Sequence, residues 1–297
     1  MNQEIPMAIP DLSGNEQKYV SEAVASSWIS SIGPFIKRFE TEFAESCNCD
    51  YALGTSSGTT ALHLAVSGLG LKPGDEVIVP SLTYISTANA ITYCGATPVF
   101  VDVYESTFNI DCDKLEKVIN SSTKAIVPVH LFGQPANMEK IISIAKKYKL
   151  FVIEDNAQAI GSSYKFKSGL IMKTGTIGDI GATSFFPSKN LGCFGDGGAL
   201  FTNNDDLAHK IRGIVNHGMY KRYHHDVVGV NSRLDSVQAA VLDAKLPHLN
   251  SYNKSRQNAA KKYTESLQGL DEIITCLLYT SDAADEGLGV DLGGRRI

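Results

Sequence analysis

Short runs of apolar, β-branched residues alternate along this chain with stretches whose apolar positions recur every three to four residues. Glu76 to Val79, Pro98 to Val103, Ala125 to Val129 and Leu150 to Ile153 read as strands. Several are apolar at nearly every position, the pattern of strands covered by helices on both faces. Before the fourth, Asn137 to Tyr148 places Met138, Ile141, Ile142 and Ala145 at i, i+3, i+4 and i+7. Its lysines gather near the end, where the helix dipole favours cations, so the spacing predicts a crossover helix. Strand and helix in alternation predict an α/β fold with a mostly parallel sheet. From Arg233 to about Gln268 the pattern turns helical, with Val237, Ala240, Val241 and Ala244 on one face and Pro247 placed to interrupt it.

This long helix leaves the large α/β domain. No repeat and no low-complexity linker interrupts residues 1–270. After Thr275 the text changes to Cys276-Leu277-Leu278-Tyr279-Thr280-Ser281 and then to a Gly, Asp and Arg mixture ending at Ile297. Residues 276–297 are set apart from the fold as a non-native or read-through tail.

Composition narrows the class. With 43% hydrophobic and 20% charged residues, the 297-residue chain is that of a globular protein able to bury a sizeable core. The net charge of -5 supplies no cationic excess for a phosphate backbone or an anionic bilayer, so neither nucleic acid nor membrane is an expected partner. No apolar run approaches the roughly 18 residues of a membrane span, and the opening residues lack the order of a signal peptide, which makes the cytoplasm the expected location. The six cysteines show no paired C-x-x-C spacing; Cys47 and Cys49 form only a C-x-C, and ordinary reduced thiols are expected with no metal.

Three segments carry candidate chemistry. Small and hydroxylated residues from Gly54 to Thr60 run into a helix with Leu62, Val66 and Leu69 inward, and the free N–H groups of such a helix start bind anions, although plain N-capping explains the same residues. No Walker lysine follows, which disfavours a P-loop. The strand at Ile153 ends in Glu154 and Asp155, at the edge where open α/β sheets place ligands; solvated loop charges are the plainer alternative. The third segment, Ser184-Phe185-Phe186-Pro187-Ser188-Lys189, leads into Gly195-Asp196-Gly197-Gly198. A lone loop lysine is usually solvent-exposed, but aromatic, Pro and Gly neighbours restrict rotamers and lower an amine's pKa, as a nucleophile requires. One ligand accounts for all three economically: pyridoxal 5'-phosphate, with phosphate on the helix start, ring nitrogen on the strand-end Asp and aldehyde on the Lys.

With these segments in place the sequence resembles the DegT-type sugar-nucleotide aminotransferases, within fold type I of the pyridoxal phosphate enzymes. The resemblance covers roughly residues 5 to 270. It rests on Pro10-Asp11-Leu12-Ser13-Gly14, Trp28-Ile29-Ser30-Ser31 with Gly33-Pro34, Gly74 to Pro80, Val129-His130-Leu131-Phe132-Gly133, Glu154-Asp155, Ser184 to Lys189 and Gly195 to Gly198. It implies a three-layer, cofactor-binding large domain over residues 1–245, followed by a small C-terminal domain of which this chain carries a truncated start over 246–275. It also implies a transaminase that moves an amino group, from glutamate, to a keto group of a nucleotide-linked sugar for amino-sugar and surface-glycan biosynthesis. By the resemblance Lys189 is the Schiff-base lysine, Asp155 pairs with the ring nitrogen, and Gln158 sits near the ring's 3-hydroxyl. Gly58, Thr59 and Ser184 become phosphate contacts. Tyr84 matches the aromatic that stacks on the ring, although a core aromatic fits that spacing too. Asn231 and Arg233 match positions that reach a neighbouring subunit's site, which implies a homodimer with shared active sites; a surface charge is the simpler reading of Arg233. Two other readings stand beside this one. A sugar dehydratase of the same fold carries His where Lys189 stands, so Lys189 argues against it, and a truncated chain that binds cofactor without turnover is the other.

Overall fold

The computed structural model describes residues 9–270 together with Ile273 and Thr275, so the tail set apart above lies outside the described residues. In chain order the strands are β1 (Tyr51–Thr55), β2 (Glu76–Pro80), β3 (Thr97–Val101), β4 (Thr123–Ile126), β5 (Phe151–Asp155), β6 (Ser163–Lys165), β7 (Ile171–Lys173), β8 (Ile180–Ser184), β9 (Gly198–Thr202), β10 (Met219–Lys221) and β11 (His224–His225). Seven of them form one sheet in the order β1-β9-β8-β5-β4-β2-β3, in which β9 alone runs against its neighbours. The pairs β6–β7 and β10–β11 are separate antiparallel ribbons. The helices are α1 (Glu16–Ala25), α2 (Pro34–Cys47), α3 (Gly58–Gly68), α4 (Ser86–Tyr93), α5 (Cys112–Val118), α6 (Met138–Tyr148), α7 (Asp205–Ile214), α8 (Ser236–Lys245) and α9 (Leu249–Leu267).

Alternation along the strands sorts the core into two layers. Val77, Val79, Ala125 and Ile153 point to the face covered by α3, α4 and α7, where Leu64, Ile91 and Ile211 are buried against them. Ile78, Ile126 and Val152 point to the opposite face, against Leu115 of α5 and Ile141 and Ile144 of α6. At the other end of that face, Phe39 and Phe43 of α2 meet Phe185 and Phe201 at ring-centroid distances of 5.4 to 5.7 Å, under α8. Helices thus cover both sides of a mostly parallel sheet, the three-layer α/β arrangement that the hydrophobic runs predict.

The differences from the sequence reading are local. The strand expected to reach Val129 ends at Ile126, because Pro128 has no N–H to continue the ladder. In α6 the buried face is completed by Ile144, while Ile142 is half-buried; Asn137 caps this helix by accepting from the Lys140 N–H at 3.2 Å. Pro247 interrupts the C-terminal helical stretch as its ring demands, as the second residue of a single 3-10 turn, Leu246–His248, between α8 and α9. No helix among the described residues is long and apolar enough to cross a membrane.

Candidate functional site

The end of β5 places two adjacent carboxylates on opposite faces of the sheet. Glu154 is fully buried and accepts from the N–H groups of Gly175 (2.7 Å), Ile177 (2.7 Å) and Gly178 (2.6 Å). A fourth donor is the His130 imidazole: its Nδ1 accepts from the Ala136 N–H at 3.1 Å, so Nε2 carries the hydrogen and donates to Glu154 Oε2 at 2.8 Å. Glu154 is therefore a structural anchor with its lone pairs occupied. Asp155 faces the other way, into a cavity of about 220 Å³ at the C-terminal edge of the parallel strands. Its Oδ2 accepts from the Thr87 hydroxyl at 2.7 Å and its Oδ1 from the Ala157 N–H at 3.2 Å. Burial pushes the Asp155 carboxyl above its ordinary value; the bonds from Thr87 and Ala157 and the nearby Lys189 and His130 oppose that shift.

The opposite end of the cavity is the start of α3. Ser57 caps the helix reciprocally with Thr60, which leaves the first-turn N–H groups of Gly58 and Thr59 without intrahelical partners. The close approach of this turn to β8 and β9 demands glycine. A Cβ on Gly58 would lie 2.7 Å from Ser184 Cβ, and one on Gly198 would lie 2.5 Å from the Ser57 carbonyl carbon. The Thr59 hydroxyl is 2.8 Å from that of Ser86.

Lys189 reaches the cavity from the loop after β8 and is 7% exposed, so the enclosed lysine rather than the solvent-exposed one is what the chain builds. Phe185 anchors the loop in the aromatic cluster, and the Lys189 N–H donates to the Phe186 carbonyl at 2.8 Å. Helix α9 braces it from outside: Arg256 Nη2 donates to the Ser188 carbonyl at 2.8 Å, and Asn190 Nδ2 donates to Asn253 Oδ1 at 2.6 Å. None of the described cysteines lines the cavity. Cys193, beside the lysine loop, donates to the Phe185 carbonyl, and burial pushes its thiol up to about 12.

Gly58, Thr59, Tyr84, Asp155, Gln158, Ser184 and Lys189, drawn from segments more than a hundred residues apart, line this one cavity. Gln158 is fixed by accepting from the Phe132 N–H at 2.7 Å, with Phe132 in the left-handed region at φ 54°. Tyr84 is 53% exposed at the cavity wall, not a core aromatic. Asn231 and Arg233 do not line the cavity. Asn231 is exposed and bridges to Asn216, and Arg233 bridges to Thr55 while its guanidinium donates to Asn216 Oδ1 at 2.6 Å. Sequence reasoning gave no role to Thr87, Ser86 or His130, all of which touch the site or hold its frame. For Ser86 and Thr87 the only signal is a pair of hydroxyl residues shortly after Tyr84, a common sight at a helix start; His130 stands in the Val129 to Gly133 segment, which marks the family but names no role for it.

The DegT/DnrJ/EryC1/StrS aminotransferase family pattern matches residues 10–285. The chain belongs to this family. It is 46% identical over 273 residues to a GDP-perosamine synthase of Caulobacter vibrioides, covering 91% of this chain and 72% of that protein. It is 50% identical to a UDP-N-acetyl-3-dehydro-alpha-D-glucosamine 3-aminotransferase of Acidithiobacillus ferrooxidans, covering 79% of this chain but 62% of that one. Among solved structures, DesV of Streptomyces venezuelae in complex with a ketimine intermediate superimposes with a TM-score of 0.82 at 44% identity, over 86% of this chain and 67% of DesV. The chain thus spans roughly two thirds of the length of these relatives. The DegT family is pyridoxal phosphate-dependent, and solved relatives include forms carrying pyridoxamine phosphate.

The residues present fit that cofactor. An anion cradle with free N–H groups stands at one end of the cavity. A carboxylate that burial drives toward protonation, and that a cationic ring nitrogen would keep ionised, stands on the sheet edge, and a primary amine reaches the same space.

The anchoring of β5 has a measurable consequence. Glu154→Gln removes the charge and turns an N–H toward donors, so it should cost roughly 3 kcal/mol or more of unfolding free energy in urea titration. A loss under about 1 kcal/mol would show that the four bonds do not hold the strand end.

Proposed function

We propose that this DegT-family chain is the large-domain part of an aminotransferase that moves an amino group from an amino acid, with glutamate as donor, to a keto group of a nucleotide-linked sugar. The observation that carries it is the meeting of Lys189, Asp155 and the start of α3 in one cavity at the sheet's C-terminal edge. When bound, pyridoxal 5'-phosphate supplies a carbonyl for the migrating amino group and a ring that takes up charge from the amino acid's α-carbon. The Gly58 and Thr59 N–H groups and the Thr59 and Ser184 hydroxyls hold the phosphate, where the helix dipole adds its field. Asp155 holds a proton on the ring nitrogen through its carboxylate. Gln158 orients the ring by its 3-hydroxyl, and Tyr84 covers a face of it. Lys189 Nζ would meet the cofactor's carbonyl end and supply a primary amine that moves protons at the substrate's α-carbon. The relatives named for GDP-, UDP- and dTDP-linked sugars support the nucleotide-sugar class.

The experiment is to load the protein with pyridoxal 5'-phosphate, add glutamate and follow the absorbance near the visible edge, then add panels of nucleotide-linked keto sugars and weigh the products. Loss of the band with glutamate and a product carrying an amino group in place of the keto oxygen are expected. A band that glutamate leaves unchanged would contradict a working transaminase. Lys189→Ala should abolish turnover and leave the far-ultraviolet circular dichroism unchanged. Asp155→Asn should slow turnover by about a thousandfold while weakening cofactor binding far less; near-normal turnover would refute its role.

Asn231 and Arg233, which lie outside their own cavity, belong on this proposal to a homodimer in which each subunit completes the other's site. Mixing an inactive Lys189→Ala chain with an inactive chain carrying Asn231→Ala and Arg233→Ala should restore activity, because each mixed dimer then has one complete site. No recovery from verified mixed dimers would mean that these residues act within their own subunit or not at all.

A further inference from the structure

The first turn of α4 touches both halves of the cavity with consecutive side chains. Ser86 reaches the Thr59 hydroxyl in the anion cradle, and Thr87 reaches the Asp155 carboxylate. Thr87 is 1% exposed, and the turn is fixed from behind by Ala90 and Ile91, which are buried in the core over the sheet. The Thr87 hydroxyl lies against an ionisable oxygen on one side and protein on the other, so its hydrogen has no solvent to turn toward. It is also β-branched and at the positive end of an eight-residue helix, which places a stiff donor and a favourable dipole beside the same carboxylate.

We propose that Thr87 is a positioning residue of the cavity: its hydroxyl holds the Asp155 carboxylate in the ionised form and in the orientation in which it faces a protonated ring nitrogen. This rests on the reading of the cavity given above and adds to it a residue to which no motif assigns a role. A carboxylate buried as deeply as Asp155 tends to take up a proton, and hydrogen bonds to its charged form are what resist this. The Thr87 hydroxyl and the Ala157 N–H donate to it, and of these Thr87 makes the shorter bond, 2.7 Å against 3.2 Å. The other charged or titratable groups that face it are Lys189, from the loop after β8, and His130, from the segment after β4. Both are present in every Thr87 variant, so they are common to the comparison. Glu154 is turned to the opposite face and is saturated by its own four donors.

The test is the affinity of the full chain for pyridoxal 5'-phosphate, measured by absorbance titration as a function of pH. Binding should weaken as pH falls through the Asp155 titration. Thr87→Val keeps the shape and removes the donor, so the inflection should move up by about one pH unit, with affinity about tenfold weaker at pH values below both inflections. Thr87→Ser keeps the donor and should stay within about twofold of the unsubstituted protein. An inflection in Thr87→Val at the unsubstituted position, with equal affinity, overturns the proposal. If Thr87→Val does not fold, Thr87→Cys replaces it: a thiol is a weak donor, and binding several-fold weaker than in Thr87→Ser is expected, whereas equal binding overturns the proposal. Asp155→Asn separates the two levels of the reading. If it keeps the inflection, the assignment of Asp155 fails and Thr87 with it; if it loses the inflection while the Thr87 variants match the unsubstituted protein, only the role of Thr87 falls.

Discussion

A carboxylate taken out of water must find donors for its lone pairs, and the way Glu154 finds them organises the site. Three N–H groups from residues 175–178 and the His130 imidazole close around it, so that β5, the turn before β8 and the segment after β4 are held at one point. Strand alternation does the rest. With Glu154 pinned to one face, Asp155 must project from the other, toward α3 and α4, and cannot slip by one residue without burying the wrong side chain. The carboxylate that faces the cavity is thus aimed by its structural neighbour.

The lysine is held by different means. Its loop leaves β8 at Phe185, whose ring is locked among Phe39, Phe43 and Phe201, and re-enters the sheet at Gly198, where no side chain fits between β9 and Ser57. On its outer side it is bonded by Asn253 and Arg256 of α9. The amine and the carboxylate therefore sit on separate supports, one a hydrogen-bonded strand end and the other a packed loop, and both supports are continuous with the apolar core around the sheet. A preorganised pair of this kind needs little rearrangement to receive a flat, charged ligand.

Much of this is legible in the sequence. Period and β-branching located β2, β5 and α6 within a few residues, and the punctuation by Pro247 fell where expected, because ring geometry acts locally. The three chemical segments were also legible, since each is a short contiguous string. What pattern alone leaves open is the division between Glu154 and Asp155: both are strand-end acids, and only the direction of each side chain separates the buried anchor from the acid that faces the cavity. Thr87 and Ser86 were silent for a related reason. A hydroxyl at a helix start reads as a cap, and its partner, Asp155, lies 68 residues away. Asn231 and Arg233 were singled out by resemblance, and their place outside the cavity is a property of how residues 231–233 run beside β1, which no local string encodes.

The central claim is that one cavity brings the Lys189 amine to a carbonyl-bearing ligand whose ring Asp155 faces. Borohydride reduction of the protein loaded with pyridoxal 5'-phosphate, followed by proteolysis and mass mapping of the label, tests it most directly. The account predicts one pyridoxyl group per chain, on the peptide containing Lys189. A label on another lysine, or none on that peptide at saturating cofactor, would contradict it.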